Sequence, residues 1–177
     1  MQDKNQTATT PPLTVMYALQ EGLAILHEEG LEQGWKRHER VAEMIRRGIE
    51  AAGLKLLAPA GNRSNTVTAI HSPAPSPEHL RELIGLLRTR YGVVVAGGQR
   101  SLQGKIFRIG HLGFIDERDV YTILGSLEAA LADLGMLSRM GLSIPVAQAT
   151  ARRVDGDGRD GKQAGEAHPG SVPATSR

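Results

Sequence analysis

The spacing of apolar positions changes at Gly53, and this change limits what the chain can fold into. Before it, Leu31, Trp35, His38, Ala42, Ile45, Ile49 and Ala52 follow one another at alternating intervals of four and three. That is the seam of one helix face. Gly53 stands where a left-handed residue would stop the helix. After it, Leu54–Ala58 and Thr66–His71 are short β-prone runs, the second alternating between two faces. Ser76-Pro77-Glu78 opens a helix through Leu80, Leu83, Ile84 and Leu87. Two further strands are expected at Tyr91–Ala96 and Lys105–Ile109, separated by a polar, glycine-bearing turn. Asp116 then caps a helix running through Val120, Leu124, Leu127 and Leu131 to Gly135. Long helix, two strands, helix, two strands, helix is the order of an α/β chain of the α+β kind. It predicts a small, mainly antiparallel sheet with helices packed on one face.

Upstream, Thr10-Pro11-Pro12 reads as a helix start, with Thr10 as N-cap and Pro11 in the first turn. Leu13, Met16, Tyr17, Leu23 and Leu26 follow at helical spacing, and Gly30 permits a bend before the seam described above. Residues 1–9 are polar and expected to be extended. The expected organisation is a helical connection over 1–52, a sheet domain over 53–135, and a loosely packed to disordered tail over 136–177. Residues 151–177 hold five Gly and two Pro, with Val154 and Val172 as the larger aliphatics. Such a segment offers little apolar area to offset the entropy of ordering.

Composition closes several routes. The net charge is +2, from 21 basic and 19 acidic side chains, which is no footprint for nucleic acid. Cysteine is absent, so disulfide and thiolate chemistry are excluded. The histidines at 27, 38, 71, 79, 111 and 168 show no metal-ligand spacing, and no metal is expected. There is no apolar run long enough for a membrane span and no signal-peptide pattern at the N-terminus, so a cytoplasmic location is expected.

Arg108 is the most informative single residue. Alternation along Lys105–Ile109 puts Phe107 and Ile109 on the face toward the helices and Arg108 on the opposite face. A guanidinium fixed on a strand can receive a carboxylate or phosphate bidentately. A surface salt bridge or an interdomain contact fits the same pattern. The pair Gly97-Gly98 fits either a plain tight turn or a place where backbone approaches a ligand. Thr10 fits either a helix cap or part of an anion site.

Several segments, in one order, resemble the alanine–glyoxylate/serine–pyruvate family of class V pyridoxal-phosphate aminotransferases. QTATTPPLTVMYAL (6–19) is similar to the segment leading into the small domain of those enzymes, and GLEQGWKRHERVAEMIRRGIEAAGL (30–54) to the long helix after it. RSNTVTAI (63–70) resembles the first small-domain strand. RYGVVVAGGQRSLQGKIFRIGHLG (90–113) resembles the most characteristic stretch, and DERDV (116–120) begins a final helix of matching length. The resemblance covers residues 2–134. It implies the small C-terminal domain of fold type I transferases, with residues 1–52 as the connection from a large domain not contained in the chain.

By this resemblance Arg108 matches the arginine that pairs with the α-carboxylate of an amino-acid or keto-acid substrate. Thr10 matches a threonine whose hydroxyl reaches the pyridoxal-phosphate phosphate of the neighbouring subunit in a homodimer. Thr9 stands where the family usually has a tyrosine, which shortens or removes one phosphate contact. The implied reaction moves an amino group between alanine or serine and glyoxylate or pyruvate. The Schiff-base lysine of the family has no counterpart among Lys4, Lys36, Lys55, Lys105 and Lys162. No catalytic residue is therefore expected on this chain, which should bind the cofactor weakly or not at all and be inactive without a large domain or a split partner subunit. The alternatives are a non-catalytic module for dimerisation or carboxylate binding, and a decayed reading frame.

Overall fold

The computed structural model describes residues 9–163, and their side chains as far as Arg153. The expectations for residues 1–8 and for 164–177 lie outside the described residues. The chain divides into two compact units at Arg37/His38.

The first unit is helical. α1, Leu13–Glu29, is followed after Gly30 by α2, Leu31–Ala51, whose first turns belong to this unit. Gly30 takes φ 81° and donates its N–H to the Leu26 carbonyl, which closes α1. Arg37 reaches back to Glu29, with Nη2 donating to Oε2 at 2.8 Å. The capping expectation for Thr10 is not met. The N-cap of α1 is Pro12, with no side-chain cap, and the N–H of Met16 reaches the Pro12 carbonyl. Two successive prolines allow that start because neither has an N–H to satisfy. No residue of α1 is buried.

The second unit is the sheet domain. β1 (Val67–His71), β2 (Ala96–Gly97) and β3 (Ile106–Gly110) form an antiparallel sheet in the order β1-β3-β2. Thr68 pairs with Ile109 and Ile70 with Phe107, so these four side chains share one face, and all are buried. That face meets α3 (Pro77–Thr89), α4 (Glu117–Asp133) and the C-terminal part of α2 in one core. Met44, Ile45, Ile49, Leu83, Leu124 and Leu131 have no exposed surface there. The α2 seam expected to run unbroken from Leu31 to Ala52 therefore divides. Ala42, Ile45 and Ile49 are fully buried, whereas Leu31 and Trp35 are exposed. Gly48 lies on the buried side of α2, and a Cβ there would come within 2.4 Å of Leu124 Cδ1. The glycine costs helix propensity but lets α4 approach closely.

The caps of α3 and α4 match the sequence reading. Ser76 accepts from the His79 N–H with Pro77 in the first turn. Asp116 makes a reciprocal capping box with Asp119, and Gly135 takes φ 67° beyond the end of α4. Two strands come out shorter than expected. Leu54–Ala58 contributes a single bridge, Leu56 to Ile70. Of Tyr91–Ala96 only Ala96 is in a strand. The N–H of Val93 is taken by the Leu87 carbonyl at 2.9 Å, so this segment satisfies the end of α3 instead of a ladder.

The expected loose tail differs most. Residues 143–163 form α5, Ser143–Gln163, and Ala147 and Ala151 are buried in the core. Small residues four apart let α5 lie close to the core, so little apolar area suffices to order it. Glu128 of α4 anchors its start. It is 3% exposed and accepts from the N–H groups of Gly141, Leu142 and Ser143 at 2.6, 2.9 and 2.6 Å. No helix among the described residues is long and apolar enough to cross a membrane.

Candidate functional site

β3 is the central strand, and Arg108 sits at its middle with Ala69 of β1 and Ala96 of β2 directly across. Two alanines leave room for a long side chain to lie over the sheet. The guanidinium bends over β2, where Nε and Nη2 both donate to the Gly97 carbonyl oxygen, at 3.2 and 3.1 Å. Arg108 is half-buried, on the face opposite Phe107 and Ile109, as alternation requires. Among the described residues it has no carboxylate partner within salt-bridge distance. Nearby Val67 and Ala96 are exposed, so this face is open to solvent beside Arg108, whereas Ile106 on the same face is buried. A surface groove of mixed character, lined by Val94, Leu112, Phe114, Asp119, Thr122 and Ile123, does not include Arg108.

The glycine pair beside Arg108 serves internal packing. A Cβ on Gly98 would lie 2.0 Å from the carbonyl oxygen of Leu102, in the 3-10 turn Arg100–Leu102. The close approach of backbone expected at this pair is thus to the chain's own turn. Lys105 then donates its N–H to the Leu102 carbonyl, which returns the chain to β3.

His111 is fully buried just past β3, and its Nε2 pairs with Thr68 Oγ1 at 2.9 Å. Burial, and secondly the positive charge of Arg46, push its pKa down to about 4, so the ring is neutral at pH 7. It is a packing histidine, and among the described residues there is no cluster able to hold a metal ion. Arg46 is nearly buried too, and its guanidinium is used up on Glu43, the Ser64 carbonyl and Asn65 Oδ1. Among the described residues, Arg108 is thus the buried or half-buried arginine at the sheet whose fork faces no acid. Thr10 is exposed and belongs to the first unit, Arg108 to the second.

No family model matches the chain, but individual proteins do. It is 45% identical over 136 residues to an uncharacterized aminotransferase of Methanocaldococcus jannaschii, covering 76% of this chain and 34% of that protein. A serine–glyoxylate aminotransferase of Methylorubrum extorquens is 36% identical over 144 residues, covering 81% and 35%. Among solved structures, pyridoxamine–pyruvate aminotransferase of Mesorhizobium loti superposes with a TM-score of 0.76 at 31% identity, covering 86% of this chain and 38% of that one. The chain belongs to the pyridoxal-phosphate aminotransferases of class V and fold type I, and matches their C-terminal part. It spans about a third of the length of the curated relatives it matches.

Aminotransferases of this fold use pyridoxal phosphate, but the described residues do not fit the cofactor by themselves. Its aldehyde needs a lysine amine sheltered from water. Lys36, Lys55 and Lys105 are all exposed. What the described residues do offer is a half-buried guanidinium, Arg108, held on a backbone carbonyl and without an acidic partner.

Proposed function

We propose that this chain supplies the substrate-carboxylate receptor of an aminotransferase. Arg108 holds the α-carboxylate of a small amino acid, alanine or serine, and of the 2-oxo acid, glyoxylate or pyruvate, that exchanges its amino group. The carrying observation is a half-buried guanidinium on an open sheet face with no acidic partner among the described residues. An ion left in that position is poorly compensated until an anion arrives, which favours carboxylate binding, weakly on the open face of the chain alone and more tightly once a second body closes the cleft. The imine-forming lysine and the cofactor pocket are assigned to a part corresponding to the remaining length of the relatives. Joining the 177-residue chain behind the N-terminal portion of the Methylorubrum relative tests this. Transamination between alanine or serine and glyoxylate or pyruvate is expected from the joined protein. The chain alone should show no imine absorption band with pyridoxal phosphate. A stoichiometric borohydride-trapped adduct on Lys36, Lys55 or Lys105 of the isolated chain would sink the proposal.

The same reading places Thr10 at the cofactor phosphate of a neighbouring subunit, and so requires a dimer. Two features support this. Thr10 spends no hydroxyl on capping α1, and α1 leaves Leu13, Val15, Met16, Tyr17, Leu19 and Leu23 each more than half exposed. Apolar surface of that extent is a mark of an interaction face. Light scattering of the full chain should show concentration-dependent association that Leu19→Glu with Leu23→Glu abolishes. A wild-type monomer at all concentrations would count against the dimer.

A further inference from the structure

The way Arg108 is held bears on how it can receive a ligand. A guanidinium carries five N–H groups, and neighbouring ones form forks along its edges. The fork of Nε and Nη2 is taken by one acceptor, the Gly97 carbonyl. The fork of Nη1 and Nη2 has no acceptor among the described residues and points away from that carbonyl. The carbonyl is in turn held by the residue after it. Gly98 donates its N–H to the Ile106 carbonyl at 2.9 Å, keeping this end of β2 on β3. Beyond Gly98 the chain folds back so tightly that a Cβ there would meet the Leu102 carbonyl oxygen at 2.0 Å, the Leu102 carbonyl carbon at 2.6 Å and Ile106 Cγ1 at 2.9 Å. Two of these obstacles are backbone, which cannot swing aside as a side-chain tip can. The turn itself is under load, since Arg100 takes a left-handed φ of 49° without being glycine. Any side chain at position 98 must therefore displace the turn or the peptide that carries the Gly97 carbonyl.

We infer that Gly98 is a positioning residue: by letting the 98–102 turn close, it sets the Gly97 carbonyl against the Nε–Nη2 edge of Arg108, and so commits an incoming carboxylate to the Nη1–Nη2 edge. This rests on reading Arg108 as the carboxylate receptor, and adds which edge receives the ligand and which residue fixes it. The advantage is entropic. An arginine pinned on one edge has lost much of its rotamer freedom before the ligand arrives, so less is lost on binding. It also sets the approach. A planar carboxylate meets the guanidinium end-on, in line with the side chain, and a sideways approach through Nε is blocked.

The experiment is nitrogen-15 arginine-labelled NMR on the full chain, with pyruvate as the probe. The Arg108 Nε–H signal is identified by its loss in Arg108→Lys. It should exchange with water more slowly than that of exposed Arg81, and saturating pyruvate should move the Arg108 Nη signals while leaving Nε–H in place. In Gly98→Ala, Nε–H exchange should quicken and pyruvate affinity should fall about tenfold, the scale of one lost hydrogen bond. Gly48→Ala introduces a packing fault in the core, with its Cβ 2.4 Å from Leu124. It should leave both readouts within about twofold, because distant sites act independently. If Gly98→Ala does not fold, the wild-type titration still decides, since pyruvate that displaces the Nε–H signal overturns the inference. So does a folded Gly98→Ala with unchanged affinity, or an equal loss in Gly48→Ala. A protected Nε–H with no response of Arg108 to pyruvate sinks the carboxylate reading and the inference with it. A freely exchanging Nε–H with a clear Nη response sinks the inference alone.

Discussion

In the joined enzyme, Arg108→Ala should lower kcat/KM for alanine and for pyruvate by roughly one to three orders of magnitude. Truncating one side of a bidentate charge pair in a water-poor cleft costs about 2–5 kcal/mol, and each 1.4 kcal/mol is about a factor of ten in rate. Arg108→Lys should recover little of this. A lysine ammonium can reach the Gly97 carbonyl or the ligand but cannot present a planar fork to the second while bound to the first. Thermal stability should change little, because the side chain lies off the face that carries Phe107 and Ile109. Steady-state kinetics and a melting curve on the same preparations check both halves of this expectation. An Arg108→Ala protein that melts far lower, yet retains the kinetics of its folded fraction, would make Arg108 a structural residue. The joined protein must carry the whole chain. A cut at residue 135 would remove α5 and with it Ala147 and Ala151 from the core.

What could be read from the sequence was whatever local chemistry alone decides. The face assignment of Arg108 followed from alternation, and the register bears it out, because Phe107 and Ile109 are buried opposite it. Asp116 and Ser76 were legible as caps, since a short polar side chain before an apolar periodic run has few other uses. The misreadings share a cause, namely that tertiary partners changed the local balance. Thr10 looked like a cap until Pro12 took the position. Residues 91–95 looked like a strand, but the end of α3 claims the Val93 N–H. α5 was missed because its composition is poor in large aliphatics and its anchor, Glu128, lies on another helix. Ser143 with Pro145 two residues on, then Ala147 and Ala151 four apart, was the available signal of a helix that packs closely. At the site, the guanidinium was legible but its clamp was not. A backbone carbonyl carries no signature of its own, and the glycine pair pointed to close approach without saying by what.

Glu128→Ala should destabilise the sheet domain by about 3 kcal/mol, and Glu128→Gln by about half as much. The carboxylate takes three N–H groups at the opening of α5, Leu142 and Ser143 on Oε1 and Gly141 on Oε2. A negative charge there also meets the positive end of the helix. Alanine leaves these donors without it, in a place where Ser143 is 1% exposed, and hydrogen bonds to a charged acceptor contribute about 1.5–3 kcal/mol. Glutamine keeps one oxygen for Leu142 and Ser143 but turns an NH2 toward the Gly141 N–H, setting donor against donor. The pH dependence gives a second, independent check. Burial alone would raise the Glu128 pKa, but the hydrogen bonds from Ser143, Gly141 and Leu142 outweigh it and hold the group below the ordinary 4.5. A carboxyl with a lowered folded pKa stabilises fully above its unfolded value, and that contribution is lost as pH falls through the folded one. His111 acts in a different window. Its folded pKa of about 4 lies under the ordinary 6.5, so the unfolded chain binds the proton first and stability declines between those two values. Urea midpoints from pH 7 to pH 3 should therefore show the His111 decline equally in wild type and Glu128→Gln. Below about pH 4.5 the gap between them should narrow, as the wild-type carboxylate also takes up a proton. A gap that is absent at pH 7, or that stays constant down to pH 3, would mean that Glu128 does not anchor α5 through its charge.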